Sequence, residues 1–171
     1  MGLLKLTSEN LDIVSTLCRS AIVWYRLAHN LSQWAIFDLL DDPPPTYAKG
    51  RVAIVGDAAH ATSPHHGAGA GLCIEDAAVM AEMLADESVK SSKDLEAVFA
   101  TFHEVRKERG VFLMSSSRWI GDVYEWRAEG VGSDFKKAES EINWRNATLG
   151  DVNLGEMCKD ARAKLQGKLS A

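Results

Sequence analysis

The chain has 171 residues and a formal net charge of −5 at pH 7, and hydrophobic residues make up 46% of it. This length is enough for one compact domain with a core, and too short for two domains of ordinary size. The acidic balance argues against a nucleic-acid-binding surface, because contacts to phosphates need clustered Lys and Arg. We therefore expect a globular protein without a nucleic-acid partner.

The cysteines and the hydropathy pattern bear on the cellular compartment. Cys18, Cys73 and Cys158 are odd in number and widely spaced. They have neither the paired spacing of a zinc site nor the density of a disulfide scaffold, so we expect a reducing environment. No apolar stretch is long enough to span a bilayer, and the amino terminus lacks a signal-peptide pattern. These features predict a cytoplasmic protein with no membrane partner.

The first third of the chain predicts one helix and two strands. Residues 8–19 have helical spacing of apolar residues. Residues 33–38 are aromatic and β-branched, which favours a strand, and the three prolines of residues 43–45 indicate an exposed connector. Residues 52–55 form an unbroken apolar run close to glycines on both sides, which predicts a central strand buried on both faces.

The middle of the chain predicts two amphipathic helices. The first begins at Leu72 and buries a stripe of four residues, Cys73, Ala77, Met80 and Leu84. Three acidic residues are expected to face water, Glu75, Glu82 and Asp86. The second follows Ser91, Ser92 or Asp94 as its cap and buries a longer stripe: Leu95, Val98, Phe99, Phe102, Val105, Phe112 and Leu113.

Two arginines fall on the apolar stripe of the second helix. Arg106 and Arg109 share a face with Phe102, so we expect at least one guanidinium group to be buried. A buried charge needs a partner, and Asp76 at the edge of the preceding helix is the expected one. The alternative is that both arginines are solvated. Farther on, Gly121 and residues 130–133 are predicted helix breakers, and residues 154–169 a final helix.

The segment from residue 50 to residue 77 has the features of a ligand-binding loop. The predicted strand delivers Asp57 to its carboxyl end, where open α/β sheets bind ligands. A carboxylate there can accept hydrogen bonds from sugar-like hydroxyl groups. Gly67, Gly69 and Gly71 allow a ligand to approach the backbone without interference from a Cβ atom. The helix that follows points free amide groups at an anion or an electron-rich oxygen.

Other interpretations of this loop are weaker. It lacks the Lys-Ser/Thr pair of a Walker loop, and its glycines come about ten residues after the strand, too far for a dinucleotide fingerprint. No Gly-x-Ser-x-Gly occurs, which argues against a serine nucleophile. His60, His65 and His66 do not complete a metal-binding set, so we predict no metal. A close-packed Gly/Ala-rich turn without a ligand remains an alternative.

The combined pattern resembles the second flavin motif of the group A FAD-dependent aromatic monooxygenases, most closely the salicylate hydroxylase type. The pattern has three pieces: Gly56-Asp57-Ala58-Ala59-His60, Pro64-x-x-Gly67-x-Gly69, and Glu75-Asp76-Ala77. Flanking segments are also similar: Trp34-Ala35-Ile36-Phe37-Asp38, Pro45-x-Tyr47-x-x-Gly50-Arg51, and Phe102-x-x-x-Arg106-x-x-Arg109. The chain accordingly divides into a poorly matching segment 1–32, the carboxyl-terminal part of an FAD-binding domain at 33–128, and a helical tail at 129–171.

The resemblance implies cofactor contacts at named positions. Asp57 would bind the ribityl or ribose hydroxyl region of FAD, and backbone amides at Ala70 and Gly71 would face the flavin N1–C2 carbonyl. Many relatives have Asn where this chain has Gly71. Pro64 would lie at the ring next to an aromatic substrate, with His65 as a second substrate contact. The implied cofactor-binding set is Gly56, Asp57, Pro64, Gly67, Ala68, Gly69, Ala70 and Gly71, and we assign no catalytic residue.

The resemblance also implies a fold and an activity. The fold is an α/β fragment: the final strand and flavin-loop helix of a glutathione-reductase-like Rossmann domain, followed by a mainly helical carboxyl-terminal region. The activity is hydroxylation of a small aromatic substrate with O₂ and FAD, with NAD(P)H as the reductant. The chain contains neither the Gly-x-Gly-x-x-Gly unit nor the Asp-Gly motif of such enzymes. We therefore expect a fragment, a split subunit or a truncated gene product, whose partner is a separate amino-terminal half or a second copy.

Two alternatives remain open at this point. In the first alternative, the chain is a non-catalytic helical interaction module derived from such an enzyme, and the edge of strand 52–55 is a dimerisation or aggregation surface. Alternatively, it belongs to a related flavin oxidoreductase that acts on a non-aromatic substrate.

Overall fold

A computed structural model describes residues 35–170, most of which are helical. Two short strands come first, β1 (Ala48–Lys49) and β2 (Val52–Ala53). Five α-helices follow in chain order: α1 (Asp57–His60), α2 (Gly69–Leu84), α3 (Asp94–Tyr124), α4 (Phe135–Gly150) and α5 (Leu154–Leu169). A 3-10 turn, Pro64–His66, joins α1 to α2. The predicted helix at residues 8–19 lies outside the described residues.

The main core lies where α2, α3 and α5 pack together. Eight buried residues form it: Tyr47, Ala59, Val79, Met83, Val98, Phe102, Ala161 and Leu165. The predicted final helix at 154–169 is confirmed, and Asn153 caps it by accepting a hydrogen bond from the Glu156 amide at 3.1 Å. The helix α4 begins after Asp134, whose side chain accepts from the first-turn amides of Lys136 and Lys137.

The buried face of α2 differs from the predicted stripe. The residues that face the core are Leu72, Asp76, Val79 and Met83, whereas Ala77 and Leu84 are exposed. The prediction placed Glu75, Glu82 and Asp86 in water and Asp76 at the edge of the apolar face, which rotated the helix by about one position. The structure instead places Asp76 at the centre of the buried face, where its partners lie. Asp86, also predicted to face water, is only 8% exposed.

The helix α3 runs for 31 residues, about 47 Å at 1.5 Å per residue. Three members of its predicted stripe, Val98, Phe102 and Leu113, are fully buried. The predicted break at Gly121 is wrong, because the helix continues without interruption to Tyr124. Gly121 serves a packing purpose: a Cβ atom there would stand 2.6 Å from the His65 ring. The glycine allows the His65 ring to lie against the helix backbone.

The predicted strands are shorter and more exposed than expected. Within the described residues β2 pairs only with β1, antiparallel, with Lys49 opposite Val52. Val52 is 67% exposed and Val55 48% exposed, so the prediction of a central strand buried on both faces is wrong for residues 35–170. A strand is buried on both faces only when other elements cover both, and an apolar run does not reveal them.

The predicted strand at residues 33–38 is also not observed where the structure describes it. Residues 35–38 are irregular, and Ile36 and Phe37 are largely exposed. Asp38 instead forms a side-chain ion pair with Arg118 of α3, which holds this segment against the helix. In the described range the chain is thus a helix-rich α/β structure, and no helix in it is long and apolar enough to cross a membrane.

Candidate functional site

A buried carboxylate connects α2 to the turn that precedes α1. Asp76 is 1% exposed, and its Oδ1 accepts a hydrogen bond from Arg106 Nε at 2.6 Å. Its Oδ2 accepts from the Gly56 backbone N–H at 3.0 Å and lies 2.7 Å from His60 Nε2. Burial raises the pKa of Asp76, but the bonds from His60, Gly56 and Arg106 outweigh it and hold that pKa below its ordinary value.

The predicted ion pair between α2 and α3 is confirmed. The side chain of Arg106 is 1% exposed, and Asp76 neutralises it within the core. A second carboxylate completes the cluster: Glu75 Oε2 lies 2.9 Å from Arg106 Nη1. Arg109 Nε and Nη2 donate to the two Glu75 oxygens at 2.6 and 2.7 Å. Glu75 was predicted to face water, yet its side chain is only 16% exposed because two arginines hold it.

The turn at Gly56 and Asp57 needs a glycine. Gly56 has φ +59° and ψ −138°, a conformation that side-chain-bearing residues rarely adopt. A Cβ atom there would also stand 3.0 Å from Cys73 Sγ. Asp57, the next residue, is the first of α1 and is exposed. The turn thus presents an accessible carboxylate on a backbone that Asp76 holds from behind.

The amino terminus of α2 lies open. Ala68 is its N-cap and makes no side-chain hydrogen bond to the helix. The first backbone bond of the helix runs from the Leu72 amide to the Ala68 carbonyl at 3.0 Å. The amides of Gly69, Ala70 and Gly71 therefore have no acceptor within the helix, and Ala70 and Gly71 are exposed. The helix begins three residues before the predicted start at Leu72.

The loop glycines are not all required by packing. Gly67 has φ +64°, in the left-handed region that favours glycine, and no atom of the described residues lies within 4 Å of a Cβ atom built there. Gly71 also has open space, and a Cβ at Gly69 would make only an ordinary contact with Thr62 at 3.5 Å. Near Gly67 and Gly71 the loop therefore has a free surface where another molecule can reach the backbone.

The 3-10 turn is fixed to two helices. His66 Nε2 lies 2.8 Å from Ser116 Oγ on α3, and His66 Nδ1 lies 2.9 Å from Asn146 Oδ1 on α4. Burial lowers the pKa of His66 below its ordinary value. His65 Nδ1 lies 3.0 Å from Ser63 Oγ. Pro64, at the start of the turn, is exposed.

These features together form a candidate binding surface. It combines the exposed Asp57, the free amides at the start of α2 and the open backbone around Gly67 and Gly71. Such a surface suits a ligand with hydroxyl groups at one end and an electron-rich carbonyl at the other. Among residues 35–170, no group of three or more His, Cys, Asp or Glu side chains is placed to hold a metal ion. Sequence reasoning missed the contacts of Asp76 to Gly56 and His60, because hydrogen bonds from backbone amides leave no pattern in a sequence.

Comparison with known families decides the family of the chain. The sequence profile of the family described as FAD binding domain matches residues 5–116. The chain belongs to this family. The FAD-binding domain assignment confirms the cofactor that the loop motif predicted. The proposed boundaries at 1–32, 33–128 and 129–171 stay a prediction.

The relatives of this FAD-binding domain are fungal monooxygenases. An FAD-dependent monooxygenase of Aspergillus niger is 41% identical over 150 residues, covering 82% of this chain and 34% of the relative. One from Monascus ruber is 43% identical over 151 residues, covering 82% and 35%. A salicylate hydroxylase of Sarocladium schorii is 38% identical over 152 residues, covering 80% and 32%. The chain thus spans about a third of the length of these relatives.

A solved structure shows the same similarity in three dimensions. A salicylate hydroxylase in complex with its substrate matches this chain with a TM-score of 0.66 and 40% sequence identity. The match covers 70% of this chain and 29% of that protein. The resemblance to the salicylate hydroxylase type is therefore confirmed for the part of the chain that aligns.

The loop also fits FAD on structural grounds. The open space beside Gly67 and Gly71 leaves the backbone accessible to a flat ring. The exposed Asp57 carboxylate is a suitable acceptor for sugar hydroxyl groups, and the uncapped start of α2 suits an electron-rich oxygen. Residues 56–72 are therefore compatible with the cofactor of the family.

Proposed function

We propose that residues 56–72 form the flavin-facing part of the FAD site of an NAD(P)H- and O₂-dependent monooxygenase that hydroxylates a salicylate-like aromatic compound. One observation carries the proposal: an accessible carboxylate and an uncapped helix amino terminus stand on the same loop of an FAD-binding domain. The 40% identity to a salicylate hydroxylase supports the substrate class.

Asp57 would hold the sugar-like chain of the cofactor. Its carboxylate accepts hydrogen bonds from ribityl or ribose hydroxyl groups, and its place directly after the constrained Gly56 sets where it stands. A hydrogen bond to a charged group contributes about 1.5–3 kcal/mol. Asp57 is therefore the side chain in this loop with the largest expected effect on FAD affinity.

The start of α2 would bind the pyrimidine edge of the flavin. The amides of Ala70 and Gly71 are free to donate to the carbonyl oxygen next to N1. Negative charge gathers in this region when the flavin is reduced, and the positive end of a helix stabilises such charge by about 0.3–1 kcal/mol. The same amides would thus favour the reduced form over the oxidised form.

The remaining loop residues would line the cofactor and the substrate side. Gly67, Ala68 and Gly69 give the ring close access to the backbone. Pro64 is exposed at the head of the 3-10 turn, and we place it and His65 next to the aromatic substrate. His65 is held by Ser63 and packs on Gly121, so its ring offers a fixed surface to the substrate.

When bound, FAD would accept a hydride from NAD(P)H and deliver electrons to O₂, one atom of which enters the substrate ring while the other leaves as water. The described residues of this chain bind and orient the cofactor, and we assign none of them a role as general acid or base. The pyrophosphate half of the site would come from an amino-terminal nucleotide-binding unit of the Rossmann type. In this arrangement β2 extends the sheet of that unit as its final strand.

A second candidate function is a helical interaction module. The exposed apolar side chains of Val52, Val55 and Ile74 support it, since they would suit a protein partner or a second copy of the chain. This candidate predicts a colourless protein that associates without flavin. The FAD site predicts a yellow protein once the nucleotide-binding half is supplied.

The test uses the chain combined with the amino-terminal half of a close fungal relative, reconstituted with FAD. We expect bound flavin, and oxidation of NAD(P)H that salicylate stimulates and cyclohexanecarboxylate does not. Mass spectrometry should find a product 16 mass units heavier than the aromatic substrate. Flavin binding with stimulation by the non-aromatic acid alone would favour a flavin oxidoreductase of a different substrate class. Absence of flavin would favour the interaction module.

A further inference from the structure

We propose that Asp76 is a positioning residue for the cofactor site: its buried carboxylate fixes the Gly56–Asp57 turn and thereby sets where the Asp57 carboxylate stands. The inference rests on the proposed function and adds to it a residue that touches neither cofactor nor substrate. Asp76 acts through the backbone of Gly56 and through the ring of His60.

The contacts of Asp76 lie on two sides. On one side Oδ1 binds the guanidinium of Arg106, which belongs to α3. On the other side Oδ2 meets two groups at either end of α1, the Gly56 amide at 3.0 Å and His60 Nε2 at 2.7 Å. The helix α1 has only four residues, from Asp57 to His60. Asp76 therefore holds both ends of the short helix on which Asp57 stands.

The held turn has a conformation that the backbone does not favour by itself. Gly56 has φ +59° and ψ −138°, outside the regular helical and strand regions, and the residue is buried. A buried amide without an acceptor costs about 1–3 kcal/mol. Among the described residues, the Asp76 carboxylate is the acceptor for this amide. Loss of the Asp76 carboxylate would allow the turn to adopt other backbone conformations and would so move Asp57.

The carboxylate also fixes the proton on His60. Because a carboxylate only accepts, the short contact requires His60 Nε2 to carry a proton. An asparagine at position 76 has one acceptor oxygen and would face donors on both sides. If that oxygen stays with the charged Arg106, the asparagine amide group points its own hydrogens at Gly56 and His60. Asp76→Asn is thus close in size to the wild type and breaks the link to the turn.

The chain offers a matched control just beyond the carboxyl end of α2. Asp86 lies two residues beyond α2, is 8% exposed, and accepts from Gln166 Nε2 at 3.2 Å and from the Ser88 amide at 2.9 Å. It has no contact with the loop. Asp86→Asn also disturbs a buried carboxylate at an end of α2, but leaves the Gly56–Asp57 turn intact.

A double variant separates positioning from loss of fold. Asp76→Asn leaves Arg106 partly uncompensated and can unfold the protein. Asp76→Leu combined with Arg106→Met replaces the buried ion pair by apolar side chains, and such replacements of a buried ion pair are often neutral for stability. The packing between α2 and α3 and the ion pair between Glu75 and Arg109 are retained, while the Gly56 amide loses its acceptor.

The experiment measures hydrogen exchange at the Gly56 amide on the 171-residue chain, and FAD affinity on the same chain combined with its nucleotide-binding half. We expect exchange at Gly56 to accelerate at least tenfold in Asp76→Asn and in the double variant, and to stay within twofold of wild type in Asp86→Asn. The FAD dissociation constant should rise at least tenfold in the two Asp76 variants and less than twofold in Asp86→Asn. Melting temperatures recorded alongside separate this effect from general loss of stability.

Two results would overturn the inference. One is Gly56 exchange in the double variant equal to that in wild type. The other is an equal loss of FAD affinity in Asp76→Asn and Asp86→Asn at matched stability. If the wild-type chain combined with its nucleotide-binding half binds no FAD, the proposed function fails, while the exchange measurement still decides whether Asp76 fixes the turn.

Discussion

The hydroxyl of Tyr47 lies against the backbone of Gly110, so close that a Cβ atom at Gly110 would stand 2.5 Å from Tyr47 Oη. The same Cβ would stand 3.1 Å from the Cβ of His60. Tyr47 is 1% exposed, and burial raises its pKa to about 12, so the hydroxyl stays protonated. Gly110 is therefore the point on α3 where Tyr47, just before β1, and His60, at the end of α1, both pack against the helix backbone.

Gly110→Ala should destabilise the protein by about 1–3 kcal/mol, the usual cost of overpacking a core. Alanine normally favours a helix over glycine by about 0.5–1 kcal/mol, so the sign of the effect is diagnostic. Gly167→Ala in α5 is the control, because no atom in the described part of the chain lies within 4 Å of a Cβ built there. Urea unfolding should give opposite signs for the two variants. A stabilising Gly110→Ala would show that Tyr47 does not occupy this position.

Removal of the Arg106 charge should be costly. Arg106→Met leaves Asp76 buried without its cationic partner, and breaking a buried pair costs about 3–5 kcal/mol. Arg127→Met is the control, since Arg127 is 64% exposed and pairs with Asp122 and Glu125 at the surface. The control should lose less than about 1 kcal/mol. Equal losses of unfolding free energy in the two variants would contradict the buried ion pair.

The buried carboxylates also predict a pH dependence. The pKa values of Asp76 and Glu75 are lowered in the folded protein, relative to about 3.9 and 4.3 in the unfolded chain. The unfolded state therefore binds more protons near pH 4, and the stabilisation is complete above these unfolded values. It is lost as the pH falls through the lowered folded values. Unfolding free energies at pH 7, 5 and 3 should fall toward pH 3, and less steeply in Asp76→Asn.

The sequence predicted the loop and the ion pair because both are local in pattern. A carboxylate after an apolar run, spaced glycines and two arginines on an apolar stripe are visible without a structure. The buried face of α2 was predicted wrongly because it depends on contacts with residues distant in the sequence, which a local pattern does not show. Pattern analysis places Asp76 at the edge of the apolar face, whereas its three donors place it at the centre of the buried face.

Burial that depends on distant partners was not predictable. The run at residues 52–55 indicates a strand, but its exposure follows from which elements cover it, and the sequence of the run carries no such information. Gly121 indicated a helix break, yet its role is to admit the ring of His65. A glycine that ends a helix and a glycine that admits a neighbour look identical in one sequence.

Gly71→Ala tests whether the loop glycines serve the ligand. Its Cβ would meet no atom of the described chain, so the stability of the protein without FAD should be unchanged or slightly raised. If a flat ring approaches this backbone, the added methyl group should still weaken FAD binding. The melting temperature and an FAD titration together show whether the added methyl group affects stability or FAD binding. An alanine variant with undiminished FAD affinity would mean that the ring does not approach Gly71.

Asp57→Ala should weaken FAD binding by about 1.5–3 kcal/mol in the chain joined to its nucleotide-binding half. Asp57 is exposed and its substitution should barely change the unfolding free energy. Glu129→Ala, which removes an exposed carboxylate between α3 and α4, is the control and should leave the affinity unchanged. Unaltered FAD affinity in folded Asp57→Ala would remove Asp57 from the site.

The most direct test of the FAD site is a titration of the ¹⁵N-labelled 171-residue chain with FAD, followed by amide chemical shifts, since this detects even weak binding. The account predicts that the amides of Asp57, Ala70 and Gly71 shift progressively with FAD, while the amide of Gly167 in α5 stays in place. Shifts confined to residues outside 56–72, or no shifts at millimolar FAD, would contradict it.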